Sequence, residues 1–488
     1  MASSEQIQTA LSYFRAGLLD EAKEACEAIV ASEPNDAAAL RLLGQIAYHE
    51  GDFVRAADLL AASLAEKPDQ FSTWIKLGNV HADLGRNEDA KAAYERAITL
   101  KPEHHLGHFW KGQGFAAEGD MERAFQAYEE ALRLNPDFGP AYRLIVKTGN
   151  PWAKSKAFRE GLELKAASPD IPADEKIHMH FALAYLFQEL GKPERVMGHL
   201  KIAKGLQKNR AQAWRPALDR LHAAMREVFA APRAAPAITQ GSRPTPLFIV
   251  GTPRSGSTLL ETMLARHPAI AGGGESSAVP WILKKIQDDF TGQDFPDGLE
   301  GVTNEAWSQL AEELADSYVA LAGEKAFVID KLLSNGQVLG LVHVLVPWAK
   351  AIYIRRNPSD TALSIFQNHF WEQSSPHLCA LDDIGYYLGE YERIMAFWRE
   401  RMPGVLHEVW YERLVRDPET ELKALFAFLG LPYDAACLSF HEGKRVTQTL
   451  SQSQVIKPLY QTSIGKADAF AKDLEPFAEA YRAALARP

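Results

Sequence analysis

The sequence predicts two folds in series, an all-α helical-repeat solenoid and then an α/β domain with a mainly parallel sheet and helices on both faces. Three observations carry this. Small and helix-ending residues recur every 34 positions from Gly17 to Pro136. The stretch APRAAPAITQGSRPTP (231–246) is rich in Pro, Ala and Gly and reads as a linker. Beyond it, short apolar runs end in glycine, arginine or lysine and pass into helical patterns. The expected boundaries are 1–230 for the solenoid with a capping helix, 231–246 for the linker and 247–488 for the α/β domain.

In the first half, Pro34, Pro68, Pro102 and Pro136 stand 34 residues apart. Gly17, Gly51, Gly85 and Gly119 keep the same step, as do Ala22, Ala56, Ala90 and Ala124. Gly44, Gly78 and Gly112 form a fourth series. Small residues let two antiparallel helices approach. The first glycine series suits the turn between them, where a left-handed conformation carries no Cβ penalty. The prolines stop each second helix. This pattern resembles the tetratricopeptide repeat. Residues 151–170 break the step, and 176–208 reads as a further helical hairpin with Gly191 at its turn. A helix through 211–229 is expected to cap the array, since end repeats need a polar outer face. Such a solenoid offers a concave surface for a protein or peptide; a scaffold for homo-oligomerisation is the other use.

Composition narrows the partners. The 488 residues carry a formal charge of −10, which disfavours nonspecific nucleic-acid or anionic-membrane binding and leaves room for a local basic pocket. The three cysteines, Cys26, Cys379 and Cys437, are far apart and odd in number, so no disulfide framework is implied. No Cys/His cluster has zinc-ligand spacing, and no metal is expected. The N-terminus lacks a basic leader with an apolar run, and no stretch of 18 apolar residues occurs. A reducing cytoplasm is the expected compartment.

The α/β half opens with LFIV (247–250), then GTPRSGSTLL, then a helical pattern. Strand, glycine loop and helix start cradle phosphate through backbone N–H groups and the helix dipole. Gly251, Gly256 and Thr258 fit the G-x-x-x-x-G-K-[ST] pattern, but Ser257 stands where its lysine belongs and the cation moves to Arg254. Triphosphate hydrolysis needs that lysine and Mg²⁺. The present loop suits one terminal phosphate, held by Arg254, Ser255, Gly256, Ser257 and Thr258. The plain alternative is a glycine turn between strand and helix.

A second element, AKAIYIRRNPSDTALSIFQNHF (349–370), begins as a strand and becomes a helix after Pro358. Arg356 lies at the strand's end and Ser364 two turns into the helix. Both can meet one anion at the carboxyl edge of a parallel sheet. The plain alternative is a surface arginine pair with a capping proline.

PRSGSTLL resembles the 5′-phosphosulfate loop of the sulfotransferase family, whose domain is P-loop-like. It is most similar to the tyrosylprotein and heparan branches, which carry Arg where cytosolic aryl sulfotransferases carry Lys. R-N-P-x-D-x-x-x-S resembles the family's 3′-phosphate site. The resemblance spans about residues 246–470. It implies a co-substrate, 3′-phosphoadenosine 5′-phosphosulfate, gripped at opposite ends by two separate cationic pockets, and no metal.

It further implies that WYERLV (410–415) is a strand with Tyr411 near the nucleotide. SQSQVIKPLY (451–460), with Ser451, Gln454 and Lys457, would close over the nucleotide, and Lys466 would bind it. Glu275 in AGGGES (271–276) falls where tyrosylprotein sulfotransferases keep their catalytic glutamate. Lys331, after AFVID (326–330), matches the lysine that stabilises the transferring group, with Arg254 and Ser451 completing the set. A strand ending in Asp330 also mimics a magnesium-binding element, which the missing loop lysine argues against. His267, His343 and His369 are rival bases, but none stands in the cytosolic branch's pattern. The basic residue that tyrosylprotein sulfotransferases keep two positions after their glutamate is Ser277 here, so the acceptor need not be an acidic tyrosine motif. The function implied is sulfonate transfer to a hydroxyl, a protein tyrosine presented by the repeats. The alternatives are sulfation of a glycan, lipid or small molecule, and a repeat-type adaptor with an inactive nucleotide domain.

Overall fold

Blocks of 34 residues fold as pairs of antiparallel helices. The computed structural model describes residues 2–208, 214–231, 238–370, 375–442, 459 and 462–487. It divides into two compact units, Met1–His199 and Leu200–Pro488. The first unit begins with α1 (Ala2–Arg15), α2 (Leu19–Ser32), α3 (Ala37–His49) and α4 (Phe53–Glu66). It continues with α5 (Phe71–Asp83), α6 (Asn87–Leu100), α7 (His105–Ala117) and α8 (Met121–Leu134). Asp36 caps α3 by accepting from the Ala38 and Ala39 N–H groups, at 3.0 and 2.8 Å. The turn glycines Gly17, Gly51, Gly85 and Gly119 have φ of +81°, +82°, +72° and +84°, as the 34-residue step predicts. Gly78 serves close approach: a Cβ there would lie 2.3 Å from the buried Tyr94 ring.

The expected break follows, with a short α9 (Gly139–Ile145) and α10 (Lys156–Ala167). The predicted later hairpin is α11 (Ala173–Glu189) and α12 (Pro193–Lys208), with Gly191 at φ +65° between them. The division between units falls inside α12, upstream of residue 230. The end of α12 and all of α13 (Arg215–Val228) are tied to the second unit. Lys204, 2 % exposed, donates to the Asn368 and Leu378 carbonyls at 2.9 and 3.0 Å, and Arg215 pairs with Asp383 at 2.6 Å.

The second unit holds a five-stranded parallel sheet in the order β2–β3–β1–β4–β5. Its strands are β1 (Thr245–Gly251), β2 (Ile270–Gly272), β3 (Phe327–Asp330), β4 (Lys350–Arg355) and β5 (Leu406–Trp410). β1 starts at Thr245, inside the expected linker, because the Thr245 N–H already donates to the Ala326 carbonyl at 2.8 Å. Leu247 and Ile249 pack with Leu260, Met263 and Leu264 of α14 (Ser257–Leu264) and with Leu425 and Phe426 of α21 (Pro418–Leu429). Phe248 turns the other way, edge-on to Tyr318 of α16 (Asn304–Ala322). The central strand is therefore buried on both faces, as parallel sheets require. Each such aliphatic side chain contributes about 1.5–3 kcal/mol. Every strand of this sheet points its carboxyl end at the same edge. Among the described residues no helix is long and apolar enough to cross a membrane.

Candidate active site

The loop leaving β1 is strained in a way that fits anion binding. Arg254 has φ +68°, the only positive-φ residue other than glycine among those described. Gly256 follows at φ +105° and caps α14. A Cβ at Gly256 would lie 2.5 Å from the Tyr411 ring, so only glycine fits. Ser255, Ser257 and Thr258 are buried at the start of α14. The Ser255 Oγ has no hydrogen-bond partner among the described residues. A buried hydroxyl of that kind is costly unless a ligand oxygen completes it.

β4 delivers Arg356 to the same edge. Its guanidinium donates to the Arg254 carbonyl at 3.0 Å and the Ser463 carbonyl at 2.7 Å, and lies over the Tyr411 ring at 4.8 Å. Its Nε is buried and unpartnered among the described residues. Asn357 then caps α18 (Pro358–Phe366) by accepting from Ser359 and Asp360 N–H groups. Two turns on, the Ser364 Oγ accepts from Arg254 Nε at 3.1 Å. The Arg356 side chain thus reaches the main chain of the loop that carries Arg254, and the Arg254 side chain reaches α18. Asp360, which the sequence reading passed over, accepts from the Gly465 and Ala467 N–H groups at 2.7 and 2.9 Å. It fastens the turn bearing Lys466 to α18. The carboxylate of the R-N-P-x-D run was the available signal.

At the neighbouring strand ends, Lys331 and Glu275 meet at 2.9 Å. Lys331 is 2 % exposed, whereas the Glu275 side chain is 55 % exposed. Glu261 of α14, also missed, lies 3.7 Å from the same ammonium and accepts from the Gly274 N–H at 3.1 Å. Its signal was a lone acid in the apolar run LLETML. Asp330 accepts from the Tyr318 hydroxyl at 2.7 Å and the Leu332 N–H at 3.0 Å. Burial pushes the Asp330 carboxyl up to about 6, against the lowering effect of these hydrogen bonds. Asp330 is thus taken up by α16 and its own loop, which favours the structural reading over the magnesium one.

Other expected residues divide. Tyr411 stands beside the phosphate loop, but it opens α20 (Tyr411–Arg416) and is not in a strand. β5 stops at Trp410 because the sheet edge ends there: Arg355 is the last partner that β4 offers. Lys466 is exposed at the start of a 3₁₀ turn. Ser451, Gln454 and Lys457 lie outside the described residues. Of the rival bases, His267 is buried with both ring nitrogens within hydrogen-bond reach of the main chain, at Ala269 and Pro432. His343 is half-buried on α17 (Leu339–Leu345), where burial pushes its pKa down.

Comparison with known proteins follows this division. Residues 246–435 match the family model described as sulfotransferase family, and residues 7–71 and 75–137 match the tetratricopeptide repeat. The chain joins a tetratricopeptide-repeat region to a sulfotransferase-family domain. An uncharacterized protein of Aquifex aeolicus (strain VF5) is 32% identical over 241 residues, 48% of this chain and 32% of its own length. The protein-tyrosine sulfotransferase of Drosophila melanogaster is 28% identical over 246 residues, 45% of this chain and 46% of its own. The chain thus spans less than half the length of either relative. Among solved structures, the sulfotransferase domain from the Synechococcus PCC 7002 olefin synthase is 24% identical with a TM-score of 0.36. That match covers 51% of this chain and 98% of that domain.

Proposed function

We propose that the second unit transfers a sulfonate group from 3′-phosphoadenosine 5′-phosphosulfate to a hydroxyl, and that a protein tyrosine docked by the repeat unit is the acceptor. One observation carries the reading. Arg254, Arg356 and Ser364 converge within hydrogen-bond distance at the sheet's carboxyl edge. The buried, uncompleted Ser255 hydroxyl and Arg356 Nε face the same demand for anionic oxygens. The sulfotransferase match over this segment, and the protein-tyrosine sulfotransferase among the relatives, support the same chemistry.

The nucleotide supplies a sulfonate on a phosphate leaving group. The roles of the chain's residues follow by analogy with in-line phosphoryl transfer. Glu275, exposed at the loop tip, takes the proton of the acceptor hydroxyl, whose oxygen forms the new bond to sulfur. Lys331 and Arg254 hold the sulfonate oxygens where charge redistributes. Ser451 donates to the phosphate oxygen as its bond to sulfur breaks and the electron pair leaves with it. Arg356 and Ser364 bind the 3′-phosphate, and Tyr411 orients the Arg356 guanidinium through its ring face.

The test uses the purified 488-residue chain, labelled donor and lysate of the source cells, with the label located by mass spectrometry. Label on tyrosine is expected. Label on glycan, lipid or small molecule would replace the acceptor, and absence of transfer would overturn the reaction. Glu275→Gln should keep nucleotide binding and lower turnover by about 100-fold or more. Unchanged turnover would remove Glu275 as the base.

A further inference from the structure

Glu261 is a carboxylate in an unexpected place. It projects from α14 among Leu260, Met263 and Leu264, all fully buried, and is itself 3 % exposed. A buried carboxylate is tolerated only where charge and hydrogen bonds compensate it. Here one oxygen accepts from the Gly274 N–H at 3.1 Å and the other lies 3.7 Å from Lys331 Nζ. The Lys331 N–H in turn donates to the Gly274 carbonyl at 2.7 Å. Glu261 therefore grips the residue before Glu275 on one side and the ammonium that Glu275 binds on the other. One buried lysine is shared between an interior carboxylate and an exposed one.

We propose that Glu261 is a positioning residue that keeps Lys331 charge-balanced while Glu275 takes up the acceptor's proton. The proposal rests on the reading of Glu275 as base. Proton uptake neutralises Glu275 and removes its attraction for Lys331. With no second carboxylate, a buried ammonium would stand alone, and that penalty would oppose the uptake. Glu261 remains as its counter-charge and also repels the ionised form of Glu275. Both effects strengthen Glu275 as a base. The proton moves from acceptor oxygen to Glu275 alone; Glu261 stays a carboxylate and Lys331 stays an ammonium.

Among the described residues, two further titratable groups lie on or just before β3. Asp330 on β3 is bonded to Tyr318 of α16, and Glu261 is among the charges that raise it. Lys325, just before β3, donates to the Ile270 carbonyl at 2.9 Å. Neither competes for Lys331 within the ion pairs that Glu275 and Glu261 make with it.

The test compares wild type, Glu261→Gln and Glu261→Asp by two readouts. The first is the pH profile of kcat with labelled donor and a tyrosine acceptor. The second is carboxyl-carbon NMR of the full chain, with the Glu275 resonance assigned by its loss in Glu275→Gln. In Glu261→Gln, kcat should fall about tenfold, and the acid limb and the NMR midpoint should both move to lower pH. Affinity for adenosine 3′,5′-bisphosphate should stay within about twofold, a separation that a merely structural lesion would not give. Glu261→Asp, which keeps the charge but withdraws it, should move both in the same direction by less, and serves alone if the glutamine variant does not fold. Midpoints and limbs that superimpose on wild type would overturn the proposal. Wild type without transfer but with a shifted Glu275 midpoint in the variant would overturn the reaction and leave the Glu261–Lys331–Glu275 linkage standing.

Discussion

Arg254 Nε donates to Ser364 Oγ at 3.1 Å across 110 residues of sequence, joining the loop after β1 to the second turn of α18. The bond orders the arginine proposed to hold the sulfonate by means of the serine proposed to bind the 3′-phosphate. Ser364→Ala should therefore weaken adenosine 3′,5′-bisphosphate by about 10- to 100-fold, the range of a hydrogen bond to a charged group. Calorimetry on the variant checks this, with thermal unfolding as the control. Wild-type affinity would separate Ser364 from the nucleotide site.

Gly256 is fixed by two independent constraints, its φ of +105° and the Tyr411 ring 2.5 Å from where a Cβ would stand. Gly256→Ala should destabilise the second unit by about 1–3 kcal/mol and abolish nucleotide binding. In Tyr411→Ala/Gly256→Ala the ring contact is relieved but the backbone strain is not, so only part of the stability should return. Denaturant unfolding of the two variants measures the difference.

Much of this was legible in the sequence, for reasons that differ by element. The repeats were readable because Gly78 and its equivalents answer a local steric demand that recurs at a fixed step. Arg254, Arg356 and Ser364 were readable because their anchoring elements, a glycine loop and a proline-started helix, are local motifs. Their mutual contact was not, since it arises from β1 and β4 lying side by side in the sheet. Glu261 and Asp360 were missed because each looks like an ordinary helix carboxylate until its long-range partner, Gly274 or Gly465, is in place. The family resemblance implies a strand at Tyr411, yet the sheet runs out one residue earlier, at Trp410.

Asp330 gives the second unit a pH signature. Burial pushes its carboxyl up to about 6, so between pH 4 and 6 the folded state holds a proton that the unfolded chain has released. Stability from this group is full below about pH 4 and is lost as pH rises through 6. Asp330→Asn should gain on wild type by about 2–3 kcal/mol between pH 4 and pH 7 in unfolding free energy. Parallel pH curves for the two proteins would contradict it.

The repeat unit should respond in the opposite sense. His180 and His199 approach at 3.0 Å between their Nδ1 atoms, and burial pushes both down to about 4. The unfolded chain binds these protons below about pH 6.5 while the folded unit does not, so stability is lost as pH falls from 6.5 toward 4. Amide exchange in α11 and α12, corrected for intrinsic rate, should quicken over that window, and His199→Gln should blunt the change. Equal acid sensitivity in the variant would remove the pair as its source.

The central claim, that the arginines of β1's loop and β4's end grip one bisphosphorylated adenosine, is tested most directly by calorimetric titration of adenosine 3′,5′-bisphosphate without added metal. The expected result is one site per chain in wild type and its loss in Arg356→Ala. No heat with that ligand, alongside magnesium-dependent binding of ATP, would contradict the account.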